Sequence, residues 1–100
     1  MARKQPFLNA VWSDHLKESY AKLQANEQKA ADKVAFAITK GEVTPGMRIK
    51  PIEPEKYFHE ARLNDGDRLV HRVQEGTVYF VDVVPHHQIN TYGRRGASRV

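Results

Sequence analysis

The sequence of 100 residues contains no cysteine. This absence excludes disulfide bonds, a thiolate nucleophile and cysteine-ligated zinc or iron–sulfur sites, and it gives no reason to expect an oxidising compartment. Glycine and proline are also scarce, with 6 and 5 residues, which excludes a collagen-like or low-complexity chain. We therefore expect a folded protein of the cytoplasm.

Long apolar runs are absent as well. No window of about 18 apolar residues occurs, so the sequence predicts no membrane-spanning helix. The first twelve residues, MARKQPFLNAVW, are basic but do not reach the apolar run of a secretory signal. Neither secretion nor insertion into a membrane is expected.

The charge balance is basic. Lysine and arginine number 16 against 12 aspartate and glutamate residues, which gives a net charge of +4. Such a balance suits a polyanionic partner such as nucleic acid, although many small domains carry a similar charge. The length predicts a single domain over residues 1–100 with a small core.

The first half of the chain predicts a strand and two helices. Residues 7–12 form a short apolar segment that ends at Ser13, a favourable helix cap, and Asn26 offers a second cap. Gly41 then provides a stop signal. The apolar residues of both helices recur with helical spacing on one side: Leu16, Tyr20, Leu23, Ala31, Val34, Ala35 and Ile38.

The second half predicts an irregular crossing and an antiparallel meander. Three prolines between Gly41 and Tyr57 limit regular structure there to a short strand at 47–50. Three β-rich runs follow, separated by turn signals: residues 58–63, 67–73 and 77–84. The predicted fold class is α+β, with the helices packed on one face of the sheet and a mobile tail at 93–100.

The two turns set which side chains share a face. A three-residue loop with Gly66 in the left-handed conformation pairs Arg62 with Arg68, and the same loop length at the next turn places His71 opposite Tyr79. The helix-covered face then contains Ala61, Leu63, Leu69, Val73, Tyr79, Val81 and Val83. The other face contains Glu60, Arg62, Arg68, Val70, Arg72, Val78, Phe80 and Asp82.

Two arginines directly opposite each other in a ladder suggest a negative group beside them, because like charges destabilise such pairs. One interpretation is structural: Glu60 and Asp82 supply surface ion pairs. The other is a bound phosphate, for which paired guanidinium groups are well suited. Apolar residues on the same face also predict a cover, either the C-terminal segment of the chain or a helix of a partner.

Residues His86, His87 and Tyr92 end the last strand with groups that transfer protons near neutral pH or stack on a base. A metal site is not expected there, because adjacent histidines of a strand point to opposite faces and no third ligand lies at motif spacing. No cofactor is expected either. For each histidine singly, a structural role stays open beside a catalytic one.

The combination of these motifs over roughly residues 7–92 resembles the RelE/ParE superfamily of bacterial type II toxins, and the RelE-like branch is favoured. The segments that carry the resemblance are Pro45-Gly46, Ala61-Arg62-Leu63-Asn64, Gly66-Asp67-Arg68-Leu69-Val70, His86-His87 and Tyr92. RelE-like members are cytosolic endoribonucleases that cut messenger RNA, usually on the ribosome, and a cognate antitoxin inhibits them. ParE-like members inhibit DNA gyrase instead.

The resemblance implies roles for individual residues in a metal-independent attack of the RNA 2′-hydroxyl on its neighbouring phosphate. Arg68 and Arg62 would stabilise charge at the phosphate, and His86 or His87 would act as acid or base. The resemblance implies that Tyr92 stacks on a base of the RNA or transfers a proton. RNA-binding side chains are predicted at Arg48, Lys50 and Arg72. No lysine matches the catalytic lysines of RelE-like enzymes. Beside a nuclease and a gyrase inhibitor, an inactive scaffold that binds other proteins is therefore a third interpretation.

Overall fold

The computed structural model describes residues 7–95, which form a mixed sheet with two helices on one face. The strands are β1 (Asn9–Trp12), β2 (Lys50–Pro51), β3 (His59–Arg62), β4 (Asp67–Gln74) and β5 (Thr77–Pro85). The α-helices are α1 (Asp14–Ala21) and α2 (Ala25–Lys40), and two 3-10 helices span Pro45–Met47 and His86–Tyr92. The sheet order is β1-β5-β4-β3-β2, with β1 parallel to β5 and the other pairs antiparallel. The predicted α+β class is confirmed.

The helix caps explain where the two helices begin. The Ser13 hydroxyl oxygen accepts a hydrogen bond from the Leu16 N–H at 3.0 Å, which confirms the first predicted cap. The second cap was wrongly predicted at Asn26. Helix α2 begins earlier because Gln24 and Glu27 form a reciprocal capping box, with the Gln24 N–H donating to Glu27 at 2.9 Å.

The crossing segment differs from its prediction. Instead of a strand at 47–50, residues Pro45–Met47 form a 3-10 turn, and strand pairing begins only at Lys50. Proline at the first position of the turn and the left-handed conformation of Arg48, with φ of 46°, prevent an earlier extended segment.

The first hairpin has the predicted register, with Arg62 opposite Arg68. Its turn is made differently, because Gly66 does not adopt the left-handed conformation. The side-chain oxygen of Asn64 instead accepts hydrogen bonds from the N–H groups of Gly66 at 2.9 Å and Asp67 at 2.8 Å. This Asx turn closes the loop without the left-handed glycine that was predicted.

The predicted register of the second hairpin is wrong. Glu75 and Gly76 form a two-residue turn with φ of 50° and 80°, so His71 pairs with Phe80 rather than Tyr79. A slip of one residue moves every side chain of a strand to the other face. A bulge between the Val70–Asp82 and His71–Phe80 pairs shifts the register again. The β5 residues from Asp82 onward therefore lie on the faces that were predicted for them.

This register exchanges residues between the two faces of the sheet. Val78 and Phe80 lie on the helix-covered face, whereas Tyr79 and Val81 lie on the opposite one. The core under the helices contains Leu16, Val34, Ala35, Ile38, Met47, Ala61, Leu69, Val78, Phe80 and Val83.

The opposite face is covered by the chain's own segments, one of the two expected covers. A second core there contains Ile52, Phe58, Val70, Val81, Val84, Ile89 and Tyr92. Residues 93–95 contact the crossing segment, because the Glu55 backbone N–H donates to the Gly93 carbonyl and the Arg95 backbone N–H donates to the Glu55 carboxylate. The mobile tail at 93–100 stays a prediction. Residues 96–100 lie outside the described part of the chain. Among the described residues, no helix has the length and apolar character to cross a membrane.

Candidate functional site

A cleft of about 230 Å³ opens at one end of the sheet, where β2, β3 and β4 meet the start of the second 3-10 helix. Its lining, which we call the basic cleft, consists of Arg48, Lys50, Glu60, Arg68 and His86. A neighbouring hollow of about 410 Å³ shares three of these side chains. Four nitrogen-bearing side chains thus surround one carboxylate, which favours an anionic ligand.

Strand pairing and one turn bring these residues together. Lys50 and Glu60 are directly opposite in the β2–β3 ladder, and Arg68 lies on the next strand. His86 joins them because its N–H donates to the carbonyl of Gly66, in the first hairpin turn, at 2.7 Å. Residues distant in sequence therefore line one cleft through backbone contacts.

The Arg68 guanidinium is held on several sides. Its Nε lies 3.6 Å from Oε1 of Glu60, and the two side chains are only 13% and 7% exposed. One terminal nitrogen donates to the carbonyl oxygens of Asn64 at 2.8 Å and Asp67 at 3.0 Å. Such fixation orients the positive charge before any ligand arrives.

Arg62 shares the sheet face of Arg68 but does not line the basic cleft. Its guanidinium pairs with the exposed Asp65 carboxylate in the turn. The arginines thus have Glu60 and Asp65 as their negative partners. The predicted pairing with Asp82 is wrong, because that carboxylate faces other groups.

Asp82 is a buried anchor between the N-terminal helix and the C-terminal segment. Its carboxylate accepts from Ser19 at 2.6 Å and from the Tyr92 hydroxyl at 2.5 Å, and it lies 2.9 Å from His15 Nε2. Tyr92 is only 5% exposed and packs edge-on against Phe58. The structure therefore does not bring the Tyr92 hydroxyl into the basic cleft.

The remaining predicted residues are divided between locations. His87 is exposed and does not line the basic cleft, whereas His86 does. Arg72 lies farther along β4, with its guanidinium 4.1 Å from the centre of the Tyr57 ring. Residues 7–95 contain no cluster of three or more histidine, aspartate or glutamate side chains arranged to hold a metal ion.

Glu60 is the site residue that sequence reasoning did not assign to the chemistry. The prediction treated its carboxylate as an ion-pair partner only. A signal was present in the alternation of β3, because Glu60 and Arg62 are two residues apart and therefore share a face. Its burial and its ion pair with Arg68 became visible only with the fold.

Comparisons with known proteins agree on the fold. No protein-family model matches the chain, and no curated protein matches it in sequence. The DinJ–YafQ toxin–antitoxin complex of E. coli matches with a TM-score of 0.71 and 9% identity over 80% of this chain and 93% of that one. A copper-bound mutant toxin from Helicobacter pylori matches with 0.70 and 16%, over 81% and 97%. The RelBE2 toxin–antitoxin complex of Mycobacterium tuberculosis matches with 0.66 and 22%, over 85% and 98%. The chain therefore has the fold of RelE-like toxins.

Proposed function

We propose that this protein is the toxin of a type II toxin–antitoxin system and that it cleaves messenger RNA as an endoribonuclease. The observation that carries the proposal is the basic cleft, which combines the Glu60 carboxylate, the Arg68 guanidinium and the His86 imidazole. These are the three kinds of group that a transesterification at phosphorus requires: a base, an electrostatic stabiliser and an acid.

The reaction proceeds by attack of a ribose 2′-oxygen on the adjacent phosphate. Glu60 accepts the proton of the 2′-hydroxyl as the new bond to phosphorus forms. The bond from phosphorus to the 5′-oxygen of the next nucleotide then breaks, and protonated His86 donates a proton to that oxygen. The products are a 2′,3′-cyclic phosphate and a 5′-hydroxyl, and the sequence of steps uses no metal ion.

Positive charge near the phosphate lowers the barrier. Arg68 is oriented toward this task by its bonds to Asn64 and Asp67, and it costs little reorganisation during the reaction. Arg48 and Lys50 add positive charge at neighbouring phosphates and a salt-dependent contribution to binding. Arg62, on the same face beside the cleft, contributes at longer range.

The partner that inhibits this activity is a cognate antitoxin. The DinJ–YafQ and RelBE2 toxin–antitoxin complexes each contain a chain of the same fold, which supports such a partner here. A basic toxin with a net charge of +4 favours an acidic antitoxin that covers the basic cleft. We place the activity in the cytoplasm, where translated messenger RNA on the ribosome is available.

The test uses the two adjacent histidines as a matched pair. Purified wild type, His86→Gln and His87→Gln are incubated with a translated message, and cleavage is mapped by primer extension. We expect loss of about 100-fold or more in His86→Gln and wild-type cleavage in His87→Gln. The same samples are assayed for inhibition of gyrase supercoiling. Inhibition of gyrase with an intact message would contradict the proposal and indicate a ParE-like activity.

A further inference from the structure

A second cleft lies on the same face of the sheet, farther along β4. It measures about 250 Å³. We call it the aromatic cleft. Its lining consists of Tyr57, Phe58, Arg72, Gln74, Tyr79, Val81 and Arg95. The four-residue offset from Arg68 to Arg72 places the two clefts about 13 Å apart along the strand.

Two guanidinium groups converge on one ring in this cleft. Arg72 lies 4.1 Å and Arg95 4.6 Å from the centre of the Tyr57 ring. They come from different parts of the chain. The backbone N–H of Arg95 donates to the Glu55 carboxylate at 3.0 Å. Within residues 7–95, no carboxylate forms an ion pair with either guanidinium. Two positive charges near one ring create a site that an anion would stabilise.

The chemistry of the lining identifies the kind of ligand. Tyrosine rings and planar guanidinium groups stack on nucleobases, and guanidinium groups bind phosphates. The Gln74 side-chain oxygen accepts a hydrogen bond from the Arg72 guanidinium, and its amide N–H groups are donors for a ligand. An acidic peptide would use the two charges but would leave the Tyr79 ring and the planar guanidinium groups without a stacking partner. A nucleotide uses both the charges and the rings.

We propose that the aromatic cleft binds a nucleotide of single-stranded RNA that flanks the phosphate held in the basic cleft. This inference rests on the proposed ribonuclease function for the identity of the strand. The lining contains neither a carboxylate nor an imidazole, so we assign RNA binding to the aromatic cleft and proton transfer to Glu60 and His86 of the basic cleft. The affinity for RNA should therefore depend on whether the strand is long enough to reach both clefts.

The experiment measures binding without cleavage. Oligonucleotides of 2′-O-methyl RNA, which lack the attacking hydroxyl, are titrated into wild type, Arg72→Gln and Arg95→Gln. One probe is a dinucleotide and the other is about eight nucleotides long. Arg95 is exposed, so its variant retains the fold even if Arg72→Gln is less stable. Lys33→Gln, on the exposed side of α2, is the control for lost net charge.

We expect both arginine variants to bind the longer RNA about 10-fold more weakly than wild type, with a salt slope reduced by about 1. Binding of the dinucleotide and all binding by Lys33→Gln should match wild type. Unchanged affinity of both arginine variants for the longer RNA would overturn the inference. A poly-glutamate peptide is titrated as a third probe. If the arginine variants lose affinity only for this peptide, the inference is also overturned and the cleft is assigned to an acidic protein partner.

The outcomes separate this inference from the proposed function. Length-dependent binding that requires Arg95, in a protein that cleaves no message, would support the aromatic cleft and contradict the ribonuclease. Cleavage that requires His86, with RNA binding independent of strand length and of Arg95, would support the ribonuclease and overturn the inference.

Discussion

The two faces of the sheet use their buried side chains for different purposes. Under the helices, aliphatic residues and Phe80 form a core in which His71 is a buried titratable group. On the opposite face, Glu60 and Arg68 form an ion pair of largely buried side chains, 7% and 13% exposed, beside an open cleft. Burial of a charge is tolerated where partners and nearby solvent offset the desolvation. The comparison teaches that stability and chemistry should respond to substitutions on different faces.

The largest expected effect is on activity, from Glu60→Gln on the face with the clefts. Removal of the proposed base should lower the cleavage rate by about 10²–10⁴-fold. The substitution keeps the side-chain size, and Arg68 keeps its bonds to backbone carbonyls, so the fold should persist. Single-turnover cleavage and circular dichroism measure the two properties. Equal activity of the variant and wild type would remove Glu60 from the chemistry.

The next effect is on stability, from Phe80→Ala on the helix-covered face. Phe80 is 0% exposed and packs edge-on against Trp12 at 6.1 Å. Truncation should lower the free energy of unfolding by about 3–5 kcal/mol, as measured by denaturant titration.

Phe36→Ala is the matched control, because Phe36 is 63% exposed on α2. It should change the free energy of unfolding by less than about 0.5 kcal/mol. Similar losses in both variants would contradict the burial of Phe80 under the helices.

A third prediction concerns the buried histidine. Burial, with a smaller contribution from neighbouring His59, lowers the pKa of His71 to about 4 from its ordinary 6.5. Below pH 6.5 the unfolded chain binds a proton that the folded chain does not bind until about pH 4. The free energy of unfolding should therefore fall by up to about 3 kcal/mol as the pH drops through this window.

His71→Leu should remove this part of the acid sensitivity, because leucine does not bind a proton. The substitution loses no hydrogen bond at Nδ1, since this buried atom has no partner. Denaturant titrations at pH 7 and pH 4.5 measure the difference, and His87→Gln should retain the wild-type profile. Identical pH profiles of His71→Leu and wild type would contradict the assignment.

The smallest effect concerns the turn that decides which face Phe80 occupies. Gly76 has φ of 80°, and no heavy atom lies within 4 Å of the place that a Cβ would occupy. Gly76→Ala should therefore cost only the conformational penalty, about 1–2 kcal/mol in the free energy of unfolding. Gly46→Ala, at a glycine with ordinary φ and a contact of 3.9 Å, should be nearly neutral in the same denaturant titration. A neutral Gly76→Ala would argue against the two-residue turn.

Local patterns predicted the helices, the three strands of the meander and the first hairpin. They failed at the second hairpin because Gln74-Glu75-Gly76 is compatible with a two-residue or a three-residue loop. Only the packing of Val78 and Phe80 under the helices decides between the two. The bulge after Val70 has no sequence signal of its own.

Strand alternation predicted that Glu60, Arg62 and Arg68 share a face. Arg68 was expected to stabilise charge at the phosphate, and Arg48 and Lys50 to bind RNA. The structure brings these three side chains to the basic cleft, and their roles stay predictions. The location of Tyr92 was not predictable, because it depends on a hydrogen bond to Asp82 from a 3-10 helix that the sequence does not specify. The position of His86, rather than His87, at the basic cleft likewise follows from one backbone contact to Gly66.

The most direct test of the central claim is the chemical analysis of the RNA ends after cleavage. Attack by the 2′-oxygen, with Glu60 as base and His86 as acid, predicts a 2′,3′-cyclic phosphate and a 5′-hydroxyl, and no cleavage when the scissile nucleotide is 2′-deoxy. A 5′-phosphate with a 3′-hydroxyl, or cleavage of the deoxy substrate, would contradict the account.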